Sequence, residues 1–306
     1  MRLAVALALL AVPALADAPA LRLPLECELG ETCFIQQYVD ADPGPGAHDF
    51  TGGPLAYDGH KGTDIRVADI EAMADAPPVI APADGIVRGV RADMADRVMT
   101  DPAAVADREC GNGLVLDHGD GWETQLCHLA RGSLLVSPGD RVTAGQEVGR
   151  IGLSGATQFP HVHISVRQGG ETIDPFVEGL WVDAPDYVPG GFLSAGFADA
   201  IPEFQAVKDG TADAATLPLD APALVIWGAV FGGRAGDVIG MSIAGPGGQE
   251  VFATEVTLER TQAELFRAAG RRLGAPRWRG GEYVGTLTLR RDGVEIDRTR
   301  TSVTLR

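Results

Sequence analysis

His161-Val162-His163-Ile164-Ser165-Val166-Arg167 alternates strictly between polar and apolar residues. A period of two belongs to a β-strand, so the stretch predicts a strand with His161, His163, Ser165 and Arg167 on one face and Val162, Ile164 and Val166 on the other. The apolar face needs a core to cover it, and two imidazoles then point the same way from the opposite face. Upstream, His60-Lys61-Gly62-Thr63-Asp64 sets a histidine and a carboxylate four residues apart, with Gly62 between them to allow a tight turn. Carboxylate and imidazole together are what a catalytic zinc needs, with three protein ligands and one open position. His128, beside a predicted strand end, is a spare imidazole.

Outward from this strand, short apolar runs recur between Gly, Pro and Asp: Val79-Ile80-Ala81, Ile86 to Val90, Gly113 to Leu116 and Val148 to Ile151. These are strand-length pieces with turn punctuation. The stretch from Arg91 to Arg108 is irregular and predicts an insertion loop. From Ala184 to Ala221 the chain turns Pro, Gly and Ala rich without periodicity, which predicts a connector. Further strands are expected at Ala223–Trp227, Val238–Ile243, Glu250–Thr257, Tyr283–Leu289 and Ser302–Leu305. Thr261-Gln262-Ala263-Glu264 has the form of a capping box and predicts a short helix ending near Arg271 to Gly274. The expected division is therefore a leader at 1–16, a first domain at 17–183, the connector at 184–221 and a small β-sandwich at 222–306.

Leu3 to Leu15 is an apolar run after Arg2, and Ala14-Leu15-Ala16 precedes Asp17, the three parts of a secretory signal peptide. The run is too short for a membrane span and contains Pro13. The expectation is export to the periplasm or medium, with no integral membrane segment after cleavage. The 306 residues carry 25 basic and 42 acidic side chains, a formal charge of −17, which argues against a nucleic-acid partner. That acidity is uneven, because residues 211–306 hold 12 basic and 11 acidic side chains. Arg267, Arg271, Arg272, Arg277 and Arg279 fall together there, on the predicted helix end that its dipole favours, and form a candidate docking surface for a wall component or partner protein.

In an exported chain, four cysteines imply disulfides, and no C-x-x-C zinc spacing occurs. Leu114–Asp117 and Trp122–Cys127 predict a hairpin, and a turn centred between 118 and 119 sets Cys110 opposite Cys127, leaving Cys27 for Cys33.

Other catalytic schemes lack their residues. No H-E-x-x-H helix occurs, and Gly152-Leu153-Ser154-Gly155 is not a G-x-S-x-G elbow. Pro138-Gly139-Asp140 with Ala144-Gly145-Gln146 resembles biotinyl and lipoyl carriers, yet the two lysines, Lys61 and Lys208, lie in no such hairpin.

Six stretches taken in order carry a family resemblance: Asp58 to Ile65, Ala81 to Val87, Gly111 to Gly119, Cys127-His128-Leu129, Gly139 to Gln146 and Pro160-His161-Val162-His163. Over residues 55–180 the chain resembles the LytM and lysostaphin type zinc endopeptidases, the M23 family. The resemblance implies a mainly β fold with a LytM-like antiparallel sheet; the strand runs and capping box after residue 222 add the expectation of a small Ig-like β-sandwich with one short helix. The resemblance also implies one Zn²⁺ per chain bound by His60, Asp64 and His163, with His128 and His161 beside it as catalytic histidines. The implied substrate is the peptide stems and cross-links of bacterial peptidoglycan. His118 matches a position without a ligand role, and His48 is expected at the surface. A non-catalytic relative that regulates another wall hydrolase is the competing reading. Loss of ligands would mark it, and here all five positions are filled.

Overall fold

Strand pairing places the deciding stretch in the middle of a sheet. The computed structural model describes residues 18–306, so the expected leader at 1–16 lies outside the described residues. The first half of the chain forms β1 (Phe34–Gln37), β2 (Thr63–Arg66), β3 (Val79–Ile80), β4 (Gly85–Arg91), β5 (Asn112–Gly119), β6 (Trp122–Leu129), β7 (Arg141–Val142), β8 (Glu147–Gly149), β9 (His161–Gln168) and β10 (Glu171–Ile173). An antiparallel sheet runs in the order β1-β2-β9-β6-β5-β4-β7, with β10 extending the pairing of β9. β9 thus lies between β2 and β6, with Asp64 and Cys127 both opposite His163. Val162, Ile164 and Val166 are sealed in the core with Ile65, Leu116 and Leu126, and their burial fixes which face the histidines take. Residues 18–57 belong to this body: Leu21 and Leu25 enter the same core, and β1 is an edge strand of the sheet.

Both expected disulfides are present, with Cα–Cα distances of 6.0 Å for Cys27–Cys33 and 4.8 Å for Cys110–Cys127. The register behind the second differs from the expected one. The hairpin turns at Asp120-Gly121, both at positive φ, with Gly119 opposite Trp122 and Leu114 opposite Leu126. Cys110 lies before β5 and reaches Cys127 beside a register shift between Asn112 and Leu114 and a positive φ at Gly111, with His128 N–H donating to the Cys110 carbonyl at 2.8 Å. Replacing both Cys110 and Cys127 by Ser should lower stability by about 3 kcal/mol, the chain-entropy value for a loop of this length. A denaturant midpoint equal to that of the unaltered protein would contradict this.

The second half comprises β11 (Gly191–Ala198), α1 (Phe204–Asp209), β12 (Thr216–Leu217), β13 (Ala223–Gly233), β14 (Val238–Ala244), β15 (Glu250–Thr257), β16 (Gln262–Arg272), β17 (Gly281–Arg291) and β18 (Val294–Leu305). A three-stranded sheet, β11-β13-β16, and a five-stranded sheet, β12-β18-β17-β14-β15, share one core. Leu224, Ile226 and Val230 of the first face Ile239, Leu287 and Val303 of the second across it.

Two expectations fail here. The helix at 261–271 is strand β16, paired with β13 from Gly233↔Gln262 to Ala223↔Arg272, so long-range pairing overrides the local capping signal. Its arginines therefore sit on and beyond a strand end, where no helix dipole acts. Among the described residues the one α-helix lies instead at Phe204–Asp209, inside the expected connector, which also contains β11 and β12.

β13 is buried on both faces. Its even-numbered residues enter the sandwich core, while Trp227, Ala229 and Phe231 pack with Phe34 of β1, the Phe34 and Phe231 rings lying 5.8 Å apart. Beside this contact the fully buried Arg66 of β2 pairs with Glu264 of β16 at 3.0 Å. Arg66 also donates to the Val67 and Ala68 carbonyls and lies over the Phe159 ring, so the buried guanidinium is compensated on several sides.

Candidate metal centre and catalytic cleft

β2 and β9 bring the carboxylate and the histidines together by register. His60 Nε2 lies 3.2 Å from His163 Nδ1 and 3.3 Å from Asp64 Oδ1, and His163 Nδ1 lies 2.8 Å from that oxygen. These three are the group whose ligand atoms fall within 4.8 Å of one another. Two nitrogens bound to a tetrahedral zinc at 2.0–2.1 Å stand about 3.3 Å apart, so the donor set fits the ion. Gly62 is required by this closeness, since a Cβ there would come 2.5 Å from both His163 Nε2 and the Ile164 carbonyl oxygen.

Each ring is oriented by its other nitrogen. His60 Nδ1–H donates to the Tyr38 carbonyl at 2.6 Å, and His163 Nε2 meets Ser165 Oγ at 2.8 Å. His128 Nδ1–H donates to the Ser154 carbonyl at 2.8 Å, and His161 Nδ1–H to the Phe159 carbonyl at 3.0 Å. The His128 and His161 rings lie 4.5 Å apart, and His161 Nε2 is 3.4 Å from Asp64 Oδ1. His128 adopts φ 63°, a left-handed conformation that a non-glycine residue takes only where its surroundings hold it.

The electrostatics follow from burial. Burial opposes ionisation of Asp64, yet His161 and His60 outweigh it and hold the carboxyl well below the ordinary range. Burial, then the neighbouring His161 and His163, push His128 far below an ordinary imidazole, so it is neutral at neutral pH. His163 is lowered chiefly by burial, whereas Asp64 raises His60 against its burial.

The remaining histidines stand apart from this group. His118 is braced between the Asp84 carbonyl and Thr124 Oγ1. His48 is half-buried and bonds the Asp49 carbonyl. Ser154 is fully buried, with Oγ donating to the Leu129 carbonyl and accepting from Asn112 N–H, so it braces the loop that orients His128. Sequence reasoning missed the orienting groups, Tyr38, Ser154 and Phe159, because their contribution is a backbone carbonyl that any residue supplies.

A cavity of about 650 Å³ opens on Asp64, His128 and His161 and is also lined by Phe204, Lys208 and Glu264. A cleft with buried imidazoles and a carboxylate converging at metal-ligand distances makes this a candidate metal centre. Residues 58–175 match the model of Peptidase family M23. The chain is 30% identical over 121 residues to an uncharacterised metalloprotease of Haemophilus influenzae, a match covering 40% of this chain and 21% of the relative. It is 31% identical over 115 residues to the peptidoglycan DD-endopeptidase ShyA of Vibrio cholerae, covering 38% and 22%. The matches thus span about a fifth of the length of those curated relatives. Among solved structures, a zinc-containing peptidase from Vibrio cholerae aligns at 25% identity and TM-score 0.31, covering 51% of this chain and 41% of that one. The catalytic domain of lysostaphin from Staphylococcus simulans aligns at 23% identity and TM-score 0.29, covering 47% and 92%. No helix among the described residues is long and apolar enough to cross a membrane.

Proposed function

We propose that the chain is an exported zinc endopeptidase that hydrolyses peptide cross-links of bacterial peptidoglycan. The observation that carries this reading is the convergence of His60, Asp64 and His163 at tetrahedral ligand spacing, with two further imidazoles at the mouth of one cleft. The M23 match and the peptidoglycan endopeptidase relative support the reaction class and the substrate. The two disulfides suit an oxidising compartment.

His60 Nε2, a carboxylate oxygen of Asp64 and His163 Nδ1 would hold the ion. When bound, zinc supplies a Lewis acid that polarises the scissile carbonyl and makes water nucleophilic at neutral pH. His128 and His161 each have Nδ1 committed to a carbonyl, so Nε2 is the nitrogen that exchanges protons. With Nδ1–H on a carbonyl, Nε2 of each neutral ring is an acceptor. One ring takes the proton of the attacking water and, as the imidazolium formed by that transfer, donates to the developing oxyanion and then gives the proton to the leaving amine; the other accepts a hydrogen bond from the water and orients it. The fixed carbonyl partners keep both rings in one tautomer and orientation, so little reorganisation is needed during reaction.

The test is metal content measured together with digestion of purified cross-linked peptidoglycan. One zinc per chain and release of uncross-linked muropeptides are expected. A fully metallated sample that cuts neither muropeptides nor other peptides would replace this reading with the regulatory one, a non-catalytic module acting on another hydrolase.

A further inference from the structure

One part of the cleft wall comes from the second half of the chain. Phe204 and Lys208 of α1 and Gln262, Ala263 and Glu264 of β16 line the cavity that holds Asp64, His128 and His161. This wall is anchored. Val207 of α1 lies in the core shared with Phe34, the Lys208 and Asp209 carbonyls accept from Ile70 and Glu71 N–H, and Glu264 is held by buried Arg66.

Its charges are not balanced in the same way. Glu264 is neutralised by Arg66, whereas Lys208 forms no ion pair among the described residues. Lys208 is a half-buried residue whose ammonium lies 5.3 Å from the centre of the Phe204 ring, a cation–π contact that favours this placement at the cavity. It is one of two lysines in a chain of formal charge −17. An acidic protein repels anions at long range, so selection of an anionic ligand has to come from a cation placed at contact distance.

We infer that Lys208 is a specificity residue that binds a free carboxylate of the peptide substrate while the scissile bond lies at His128 and His161. The inference rests on the peptidase reading and adds the substrate class: a stem carrying an unamidated carboxyl group. Phe204 holds the lysine stem, and partial burial strengthens the ammonium–carboxylate hydrogen bond relative to one in open water.

The test uses the full zinc-loaded protein and the uncross-linked tetrapeptide stem as the probe, in free-acid form and with its carboxyls converted to amides. Titration calorimetry should show the free acid bound on the order of ten-fold tighter than the amide, the value of one hydrogen bond to a charged group. Lys208→Gln should erase that ratio, and Lys208→Arg should restore most of it. A ratio unchanged in Lys208→Gln, or one that disappears only when zinc is removed, overturns the inference, because the carboxylate then binds elsewhere or on the metal. Cleavage of cross-linked peptidoglycan by the unaltered protein is scored separately. Lys208-dependent binding without cleavage keeps the subsite and overturns the peptidase reading; cleavage with Lys208-independent binding does the reverse.

Discussion

His163→Ala is expected to remove both zinc and activity. In the proposed site the residue would supply one of three donors, and its Nδ1 is 2.8 Å from Asp64 Oδ1 and 3.2 Å from His60 Nε2. Deleting it leaves a two-donor site, so metal affinity should fall by more than the roughly 10–100-fold cost of deleting a mere outer partner of a ligand. On the proposed mechanism, turnover should drop to the uncatalysed background, because the ion that would make water nucleophilic is lost. The fold should survive: Val162 and Ile164 on the other face of β9 are untouched, and Asp64 keeps His60 and His161 at 3.3 and 3.4 Å. Elemental analysis after desalting, with digestion of cross-linked muropeptides, reads both quantities. A variant that keeps stoichiometric zinc and turnover would sink the ligand assignment.

Removal of the His128 ring should separate metal from rate. His128→Asn is the cleaner variant, because Asn tolerates the φ 63° backbone at this position better than most residues. Zinc content should remain at one per chain, while kcat falls by about 10²–10⁴-fold, the range for loss of a positioned proton-transfer group. KM should change little. Zinc loss alongside the rate would instead make His128 a ligand, and full turnover would leave His161 as the single working imidazole.

The residues that converge in the candidate site were legible in the sequence because their signals are local. Alternation over 161–167 and the spacing of His60 and Asp64 are set within a few residues, and the sheet merely brings them into register. The pairing of Cys110 with Cys127 was reached through a hairpin whose turn lies elsewhere, at Asp120-Gly121, so a correct contact came from an inexact register. The strand at 262–272 was hidden behind the capping signal at Thr261, and its partly buried residues fall on both faces. Leu265 and Ala269 meet the sandwich core while Phe266 and Ala268 face the other way, which removes the alternation that marks a half-exposed strand. Gly191–Ala198, rich in small residues, likewise becomes a strand only by pairing with β13. The cleft wall from α1 and β16 could not be read at all, since it depends on contacts between residues such as Arg66 and Glu264, 198 positions apart.

A strand buried on both faces changes what modularity means for this protein. The composition break near residue 184 would be the natural splice point for dividing the chain. Here such a splice would strip Phe34 of its ring partner and leave the Arg66 guanidinium facing water on one side. Chimaeras should therefore be built by exchanging loops around an intact interior, and the joint that works is one that leaves β13 with both of its neighbours.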